Sequence, residues 1–243
     1  MSDAIANPVD ISVINSPGLE DMQGLEWLEH AGIITLGSNS NLESLNGLQN
    51  LKSITGLSVA GTGIQDIEPL SGLEEVAAAI SFSTNSSLVS LEGFRNVNPG
   101  TLNSLIISNN SSLVDLSGLD FMTASTTQAS ITGNTSLTSF KGLQNLETVG
   151  RLTIFGNSSL VHLDDLASLE RVDGVLQITS NSELTSVSGM TALSRVNSTF
   201  NISGNSKLPT CDAIKLRDQV QSRNGIGGNT QILSNDDEAT CPD

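Results

Sequence analysis

An alternating apolar and polar run recurs along the chain about every 24 residues and ends each time at a polar corner. In one copy, apolar Leu152 and Ile154 flank polar Thr153, which is the two-residue period of a half-buried strand. Seven other copies show the same inward pair: Ile34/Leu36, Leu57/Val59, Ile80/Phe82, Leu105/Ile107, Ala129/Ile131, Leu176/Ile178 and Phe200/Ile202. Each copy is therefore predicted to begin with one short strand that turns its apolar side chains inward.

The polar corner after each strand reads Asn-Ser-Ser-Leu or a close variant. Its asparagines are Asn39, Asn85, Asn110, Asn134, Asn157, Asn181 and Asn205, with Asn15 as a looser first copy and Thr62 in the Asn place of the third. A fixed period of this length is typical of stacked coils, none of which buries its apolar side alone. A stacked Asn amide can hydrogen-bond the buried backbone of a corner and bridge neighbouring coils. We therefore predict that the seven asparagines form a structural ladder.

Two further apolar segments follow each corner. After Asn157, Leu160 and Leu163 form a second inward face, and the copy closes with Leu and Val residues three positions apart. Three inward edges per copy make a prism, and strands of successive copies can pair in parallel at about 4.8 Å. The sequence therefore predicts a mainly β fold, a parallel β-helix of about nine coils over residues 10–208 and roughly 40 Å long.

The segment before the first strand offers little to cover the first coil. Residues 1–9 are small and polar and are predicted to be flexible, and Pro8 covers little apolar area. An uncovered first coil would leave room for end-to-end contact with another molecule, although the chain is otherwise expected to be a monomer. Trp27, in this irregular first coil, is expected to pack against it.

Residues 209–243 are predicted to close the other end as a cap. Thr210 can cap a short helix there. One face of that helix would cover the last coil with three apolar residues, Ala213, Leu216 and Val220. Cys211 and Cys241 are the only cysteines, and their place in this segment predicts one disulfide, with two reduced buried cysteines as the alternative. A disulfide indicates an exported protein, so the chain is expected to be extracellular or in the cell envelope.

The charge of the chain limits its partners. The 243 residues carry a formal net charge of −16, and a chain this acidic repels nucleic acid and anionic lipid, which bind through Lys and Arg. No stretch reaches the roughly eighteen apolar residues of a membrane span, so no membrane insertion is expected in this segment. Residues 1–30 lack the apolar core of a signal peptide, which predicts that the leader lies outside this sequence.

Candidate catalytic chemistry is sparse. The sequence has no nucleophile elbow, no zinc-ligand spacing and no phosphate loop. Its two histidines, His30 and His162, fall in different copies, which argues against a metal site made of histidines. His162 near Asp164 and Asp165 is better explained as a corner with solvated carboxylates than as an acid–base pair. We therefore predict that the protein is not an enzyme and that it needs no cofactor or metal.

The outward side chains of the first strand in each copy are the candidate place for a ligand. Most are Ser or Thr, such as Ser130 and Thr153, and the apolar Ile106 and Phe155 interrupt them. These four residues are the candidate ligand contacts. The simplest alternative is a soluble sheet face without a ligand. A third reading, ice or polysaccharide binding by the hydroxyl array, is disfavoured because Ser outnumbers Thr and Ile, Phe and Gln interrupt the row.

The repeat resembles a known family. The segment 143–157, Leu-Gln-Asn-Leu-Glu-Thr-Val-Gly-Arg-Leu-Thr-Ile-Phe-Gly-Asn, is similar to repeats of the receptor L-domain family, and 61–70 resembles an internalin-type leucine-rich repeat. That family forms part of insulin- and EGF-receptor ectodomains, and related repeats occur in bacterial cell-surface proteins. The resemblance covers roughly residues 10–208 and implies a right-handed, single-stranded β-helix. The chain departs from receptor L domains because it lacks their multiple disulfides and their neighbouring cysteine-rich module.

Two functions stay open from the sequence. The resemblance implies a non-catalytic recognition or adhesion module that binds a protein or glycan through one face of the solenoid. The monotony of the repeat favours a structural spacer or stalk in an envelope protein instead. No position of the motif fixes ligand-contacting residues, so the identity of the ligand is not predicted.

Overall fold

The computed structural model describes residues 8–239. In this range the chain forms thirteen β-strands and one α-helix. The strands are β1 (Ile11–Ile14), β2 (His30–Gly37), β3 (Ser53–Ala60), β4 (Glu75–Ser83), β5 (Gly100–Ser108), β6 (Met122–Thr132), β7 (Thr148–Val149), β8 (Leu152–Phe155), β9 (Arg171–Val172), β10 (Leu176–Thr179), β11 (Arg195–Val196), β12 (Phe200–Ser203) and β13 (Thr230–Leu233), and the helix is α1 (Thr210–Arg223). Short 3-10 turns form at Glu68–Leu70, Glu92–Phe94 and Asp164–Leu166.

The strands wind into a parallel β-helix. Ten of them form a front sheet in the order β1-β2-β3-β4-β5-β6-β8-β10-β12-β13, while β7, β9 and β11 pair along an adjoining side. Parallel neighbours require a crossover between strands, so the chain completes one turn between each pair. The nine strands from β1 to β12 delimit eight turns, and a longer turn through α1 leads to β13. The predicted mainly β parallel solenoid with a short C-terminal helix is confirmed.

The interior is one apolar cluster that runs the length of the solenoid. All eight predicted inward pairs are buried, and Leu152 and Ile154 are fully removed from solvent. The other two inward edges are buried in the same way, as at Leu160, Leu166 and Val172. Each coil covers the leucines of its neighbours, which is why a single coil could not fold alone.

The corner asparagines bridge neighbouring coils. All seven are fully buried. At a representative rung, Oδ1 of Asn134 accepts the backbone N–H of Asn110 at 3.0 Å, and Nδ2 of Asn134 donates to the carbonyl of Ile107 at 2.9 Å. The other six asparagines make the same two kinds of hydrogen bond. Each amide therefore satisfies one buried donor and one buried acceptor that water cannot reach.

The ladder gains one rung and is interrupted once. Asn235, after β13, accepts the N–H of Asn205 at 3.1 Å and donates to the carbonyl oxygen of Ile202 in the previous coil. Thr62 occupies the third corner, where its hydroxyl donates to Oδ1 of Asn85 at 2.8 Å. Among the described residues, no hydrogen bond joins Thr62 to Asn39. Threonine is too short to reach the carbonyl that an Asn side chain contacts in the other coils.

The first corner differs from the position that the spacing suggested. Ser16, rather than Asn15, lies in register with the ladder, and its N–H donates to Oδ1 of Asn39 at 2.8 Å. Asn15 is the exposed residue before the corner, with a φ of 54°. In every coil the residue before the corner has a left-handed backbone: Asn15, Ser38, Gly61, Thr84, Asn109, Gly133, Gly156, Ser180, Gly204 and Ser234. Asn tolerates this region better than most side chains, which explains why it can stand there.

Glycine is required where one coil crosses the previous coil closely. Gly142 has a φ of 107°, and a Cβ atom there would lie 1.9 Å from the carbonyl oxygen of Leu116. Gly118 is in the same situation, with a φ of 104° and a Cβ position 2.1 Å from the carbonyl oxygen of Leu91. A side chain at either position would push the two coils apart.

Helix α1 covers the last coil. Its predicted apolar face is buried: Ala213, Leu216 and Val220. Asp212, in the first turn, accepts the N–H of Val187 at 2.8 Å and so ties the helix to the coil before it. The prediction that Thr210 caps the helix is wrong, since α1 begins at Thr210 and Pro209 holds the capping position without a side-chain bond. The Thr210 hydroxyl is engaged by Asp237 instead.

Parts of both predicted end segments lie outside the description. Cys211 is the second residue of α1, but Cys241 lies outside the described residues, so the disulfide between them stays a prediction. Residues 1–7, most of the segment predicted to be flexible, also lie outside. The expectation that Trp27 packs against the first coil is wrong. Its side chain is 69% exposed, and the indole N–H donates to the carbonyl of Gly24 at 3.1 Å, which holds the ring at the surface.

Candidate functional site

Two rows of outward side chains cross the front sheet from β1 to β13. The first row, at the middle of the strands, consists of Ser12, Thr35, Ser58, Ser81, Ile106, Ser130, Thr153, Gln177, Asn201 and Gln231. The second row, two residues further along each strand, consists of Ile14, Gly37, Ala60, Ser83, Ser108, Thr132, Phe155, Thr179, Ser203 and Leu233. We call these two rows the front face. Nine strand spacings make it about 43 Å long.

The front face holds no charged residue, although the chain has 10 Lys and Arg and 26 Asp and Glu. The charged side chains of the described residues lie outside these two rows, and some form exposed ion pairs such as Arg95–Glu68 and Lys207–Glu183. Removing an unpaired charge from water is costly, whereas hydroxyl and apolar groups lose much less on contact with a ligand. The front face is therefore the long side of the solenoid with the lowest desolvation cost.

The structure brings the four candidate contact residues together. Ile106 on β5, Ser130 on β6 and Thr153 on β8 are successive members of the first row. Phe155 lies beside Thr153 in the second row and is 47% exposed, while Ile106 is half-buried. We call these four residues the central patch. It combines an aromatic ring, an aliphatic side chain and two hydroxyls on strands whose positions are set by pairing on both edges.

The hydroxyls of the central patch are available to a ligand. Those of Ser130 and Thr153 have no hydrogen-bond partner among the described residues. Other hydroxyls of the front face bond one another, as Ser108 does to Ser83 at 2.9 Å. Thr forms no continuous line in either row.

A groove of about 650 Å³ borders the front face beside β6, β8 and β10. One wall of the groove is a bulge of β6, in which Thr126 and Thr127 stand opposite the single residue Asn103 of β5. Its floor is backbone at Gly150 and Gly174. A Cβ atom at Gly150 would lie 2.4 Å from the carbonyl oxygen of Thr126, so no side chain fits there.

Arg151 lies where the groove meets the front face. It lines the groove and directly precedes β8, two residues before Thr153, which places it on the outward side. Its guanidinium is exposed and has no hydrogen-bond or ion-pair partner among the described residues. Asp173, the one carboxylate lining the groove, is engaged by Arg171 at 2.8 Å and by Asn197 at 3.1 Å. Arg151 is thus an unneutralised positive charge at the edge of an uncharged face.

Sequence reasoning did not single out Arg151. The signal was its alternation with Thr153 and Phe155 on one strand, which makes it outward-facing. The ten positions two residues before the first row are Asp10, Ile33, Gly56, Ala79, Ser104, Gln128, Arg151, Val175, Thr199 and Asn229. Only Asp10 and Arg151 are charged, and Asp10 already accepts the N–H of Ile33 at 2.7 Å. A comparison of the repeat copies would have shown that Arg151 is the only positively charged residue at this position.

A second exposed stripe runs along another side of the solenoid. Val89, Val114 and Val161 are 51%, 49% and 41% exposed. Thr138 separates the last two, since its N–H donates to the carbonyl of Val114 at 2.9 Å and its carbonyl accepts the N–H of Val161 at 3.4 Å. Charged and ionisable side chains, including His162, stand beside this stripe, so it is less uniform than the front face.

The two histidines lie apart, as the sequence suggested. Nδ1 of His162 is 3.4 Å from Oδ2 of Asp164, whereas His30 contacts the hydroxyl of Ser53 at 2.9 Å. Among the described residues, no three His, Cys, Asp or Glu side chains are grouped to hold a metal ion.

One surface ion pair shifts the pKa values of its two side chains. The Arg95 guanidinium donates two hydrogen bonds of 2.6 Å to the carboxylate of Glu68. These bonds favour the charged form of each partner, so they lower the pKa of Glu68 and raise the pKa of Arg95.

Comparison of the chain with protein-family models, curated proteins and solved structures gives no match. The resemblance to the receptor L-domain family therefore stays a prediction. In the described part of the chain, no helix combines the length and the apolar character that a membrane crossing needs.

Proposed function

We propose that the protein is a non-catalytic recognition or adhesion module, acting outside the cell or in the cell envelope. Its ligand is a glycan or a protein, bound through the front face around the central patch. The observation that carries the proposal is the absence of any charged residue from both rows of the front face in a chain of net charge −16. The surface of an acidic protein is usually rich in charged side chains. A long face without charges loses its bound water at low cost when a ligand covers it.

The central patch has the chemistry of a recognition surface. Phe155 offers an aromatic ring for stacking or apolar contact, and the hydroxyls of Ser130 and Thr153 can both donate and accept hydrogen bonds. The strands that carry these side chains are paired on both edges, so little conformational entropy is lost on binding. The resemblance to surface-exposed recognition repeats also supports a recognition function.

The test uses a glycan array and an array of extracellular proteins probed with the purified chain. Replacing Phe155 and Ile106 together by Ser removes the apolar part of the central patch, and we expect binding to the strongest array ligand to fall at least tenfold. The matched control replaces Val114 and Val161 by Ser, which removes the same kind of surface from the other stripe. Far-UV circular dichroism verifies that both variants keep the fold.

The rival function is a structural spacer or stalk. It predicts that neither array gives a ligand whose binding depends on Phe155 and Ile106. A ligand lost in the Val114 and Val161 control variant, but retained in the front-face variant, would also reject the proposal and move the site to the second stripe.

A further inference from the structure

The geometry points to an acidic oligosaccharide as the ligand class of the front face. We propose that the guanidinium of Arg151 binds a sugar carboxylate at the mouth of the groove. The sugar chain then runs along β8 over Thr153 to Phe155. This inference rests on the proposed function, since it names the ligand of the same surface.

Arg151, directly before β8, and Thr153 and Phe155 on β8 define the path of the ligand. Arg151, Thr153 and Phe155 succeed one another at two-residue steps, so the first and last Cα atoms are about 13 Å apart, roughly the length of two to three linked sugar rings. Along this path the ligand meets a cation, a free hydroxyl and an aromatic ring in turn. Ser130, in register with Thr153, adds a second hydroxyl one strand away.

The charge of the groove is complementary to a carboxylate. A guanidinium can donate two parallel hydrogen bonds to one carboxylate, a geometry that Lys does not reproduce. Asp173 forms no ion pair with Arg151, and its charge is balanced by Arg171, which contacts Oδ1 together with Asn197. Thr127, also in the groove, has an exposed hydroxyl that can serve the same ligand.

A peptide ligand fits this surface less well. The usual way for an extended peptide to bind a sheet is to pair with a free strand edge. β6 and β8 are paired on both edges, so the central patch offers a peptide no backbone groups. Its half-buried hydroxyls suit the many hydroxyls of a sugar, and the groove beside them is lined mainly by polar and glycine residues rather than by apolar side chains.

The overall acidity of the chain does not prevent this binding. The front face carries none of the 26 acidic residues. At physiological ionic strength the Debye length is about 8 Å, so exposed charges on the other sides of the solenoid are largely screened at the central patch. Arg151 is the nearest exposed charge that lacks a partner within the described residues.

The experiment measures the dissociation constants of tetrasaccharides of mannuronate, galacturonate and glucuronate, each beside its methyl ester, by isothermal titration calorimetry. The ester removes the charge and keeps the sugar. We expect at least one acid to bind the native chain at least tenfold more tightly than its ester. Arg151→Gln should abolish that preference, and Arg151→Lys should keep only part of it. Arg95→Gln, which removes an exposed arginine outside the front face and the groove, should change it less than twofold.

The inference is overturned if no acid binds at millimolar concentration, if acid and ester bind equally, or if Arg151→Gln leaves the preference unchanged. These results separate the inference from the proposed function. A neutral glycan or protein whose binding is lost on replacing Phe155 and Ile106, but not on replacing Arg151, would keep the recognition function and reject the acidic ligand.

Discussion

Replacing Asn134 by Ala removes one rung from the middle of the ladder. The native side chain is fully buried and satisfies the N–H of Asn110 at 3.0 Å and the carbonyl of Ile107 at 2.9 Å. In the Ala variant the N–H of Asn110 stays buried without a partner, at a cost of about 1–3 kcal/mol, and the carbonyl of Ile107 loses one hydrogen bond, worth about 0.5–1.5 kcal/mol. The expected loss of unfolding free energy is therefore about 1.5–4.5 kcal/mol, a large share of the roughly 5–15 kcal/mol that stabilises a domain.

The assay is chemical unfolding followed by far-UV circular dichroism, with the midpoint compared between variants. Asn145→Ala is the matched control, because the Asn145 amide donates a single hydrogen bond of 2.7 Å, to the carbonyl of Asp120 at the exposed surface. It should cost less than about 1 kcal/mol. In the opposite direction, Thr62→Asn supplies the missing rung and should raise stability by about 1 kcal/mol, since an Asn side chain there can accept the N–H of Asn39.

Equal losses for Asn134→Ala and Asn145→Ala would refute the ladder as a source of stability. The corner asparagines would then hold only the local conformation of each turn. A Thr62→Asn variant less stable than the native chain would show that the third corner has no room for the longer side chain.

Two further predictions concern the coil crossings and the surface charges. Gly142→Ala should destabilise far more than Gly24→Ala, because both glycines have φ near 100° but only Gly142 would place a Cβ against another coil; similar losses would attribute the cost to backbone strain alone. NMR titration should give Glu68 a pKa below its ordinary value, which Arg95→Gln should raise. Because the folded pKa is the lower one, the stability it contributes is present above the unfolded pKa and is lost as pH falls through the folded pKa. An unchanged Glu68 pKa in the Arg95 variant would contradict the ion pair.

The amino-acid sequence determined the fold almost completely. A two-residue period inside each copy and a period of about 24 residues between copies leave few ways to bury the leucines except by stacking coils. The inward pairs, such as Leu152 and Ile154, follow from that pattern, and so do the corner asparagines. These features repeat, so each copy supports the interpretation of the others.

Features that occur in only one copy are harder to predict from the sequence. Copies differ in length by one or two residues, and whether an extra residue enters the corner or the strand decides the register. Ser16 rather than Asn15 therefore takes the first rung, and β6 absorbs one of its two extra residues relative to β5 as the bulge at Thr126 and Thr127. Trp27, in the least regular coil, had no repeat to locate it and proved exposed.

Only the tertiary structure shows that the candidate contact residues are neighbours. The sequence selected Ile106, Ser130, Thr153 and Phe155 from different copies, but their contiguity depends on strand pairing across three coils. The groove beside Arg151 and the contacts that Arg171 and Asn197 make with Asp173 likewise come from neighbouring coils. Periodicity places a side chain on a face of its own coil, whereas its neighbours come from coils about 24 residues away and are fixed by folding alone.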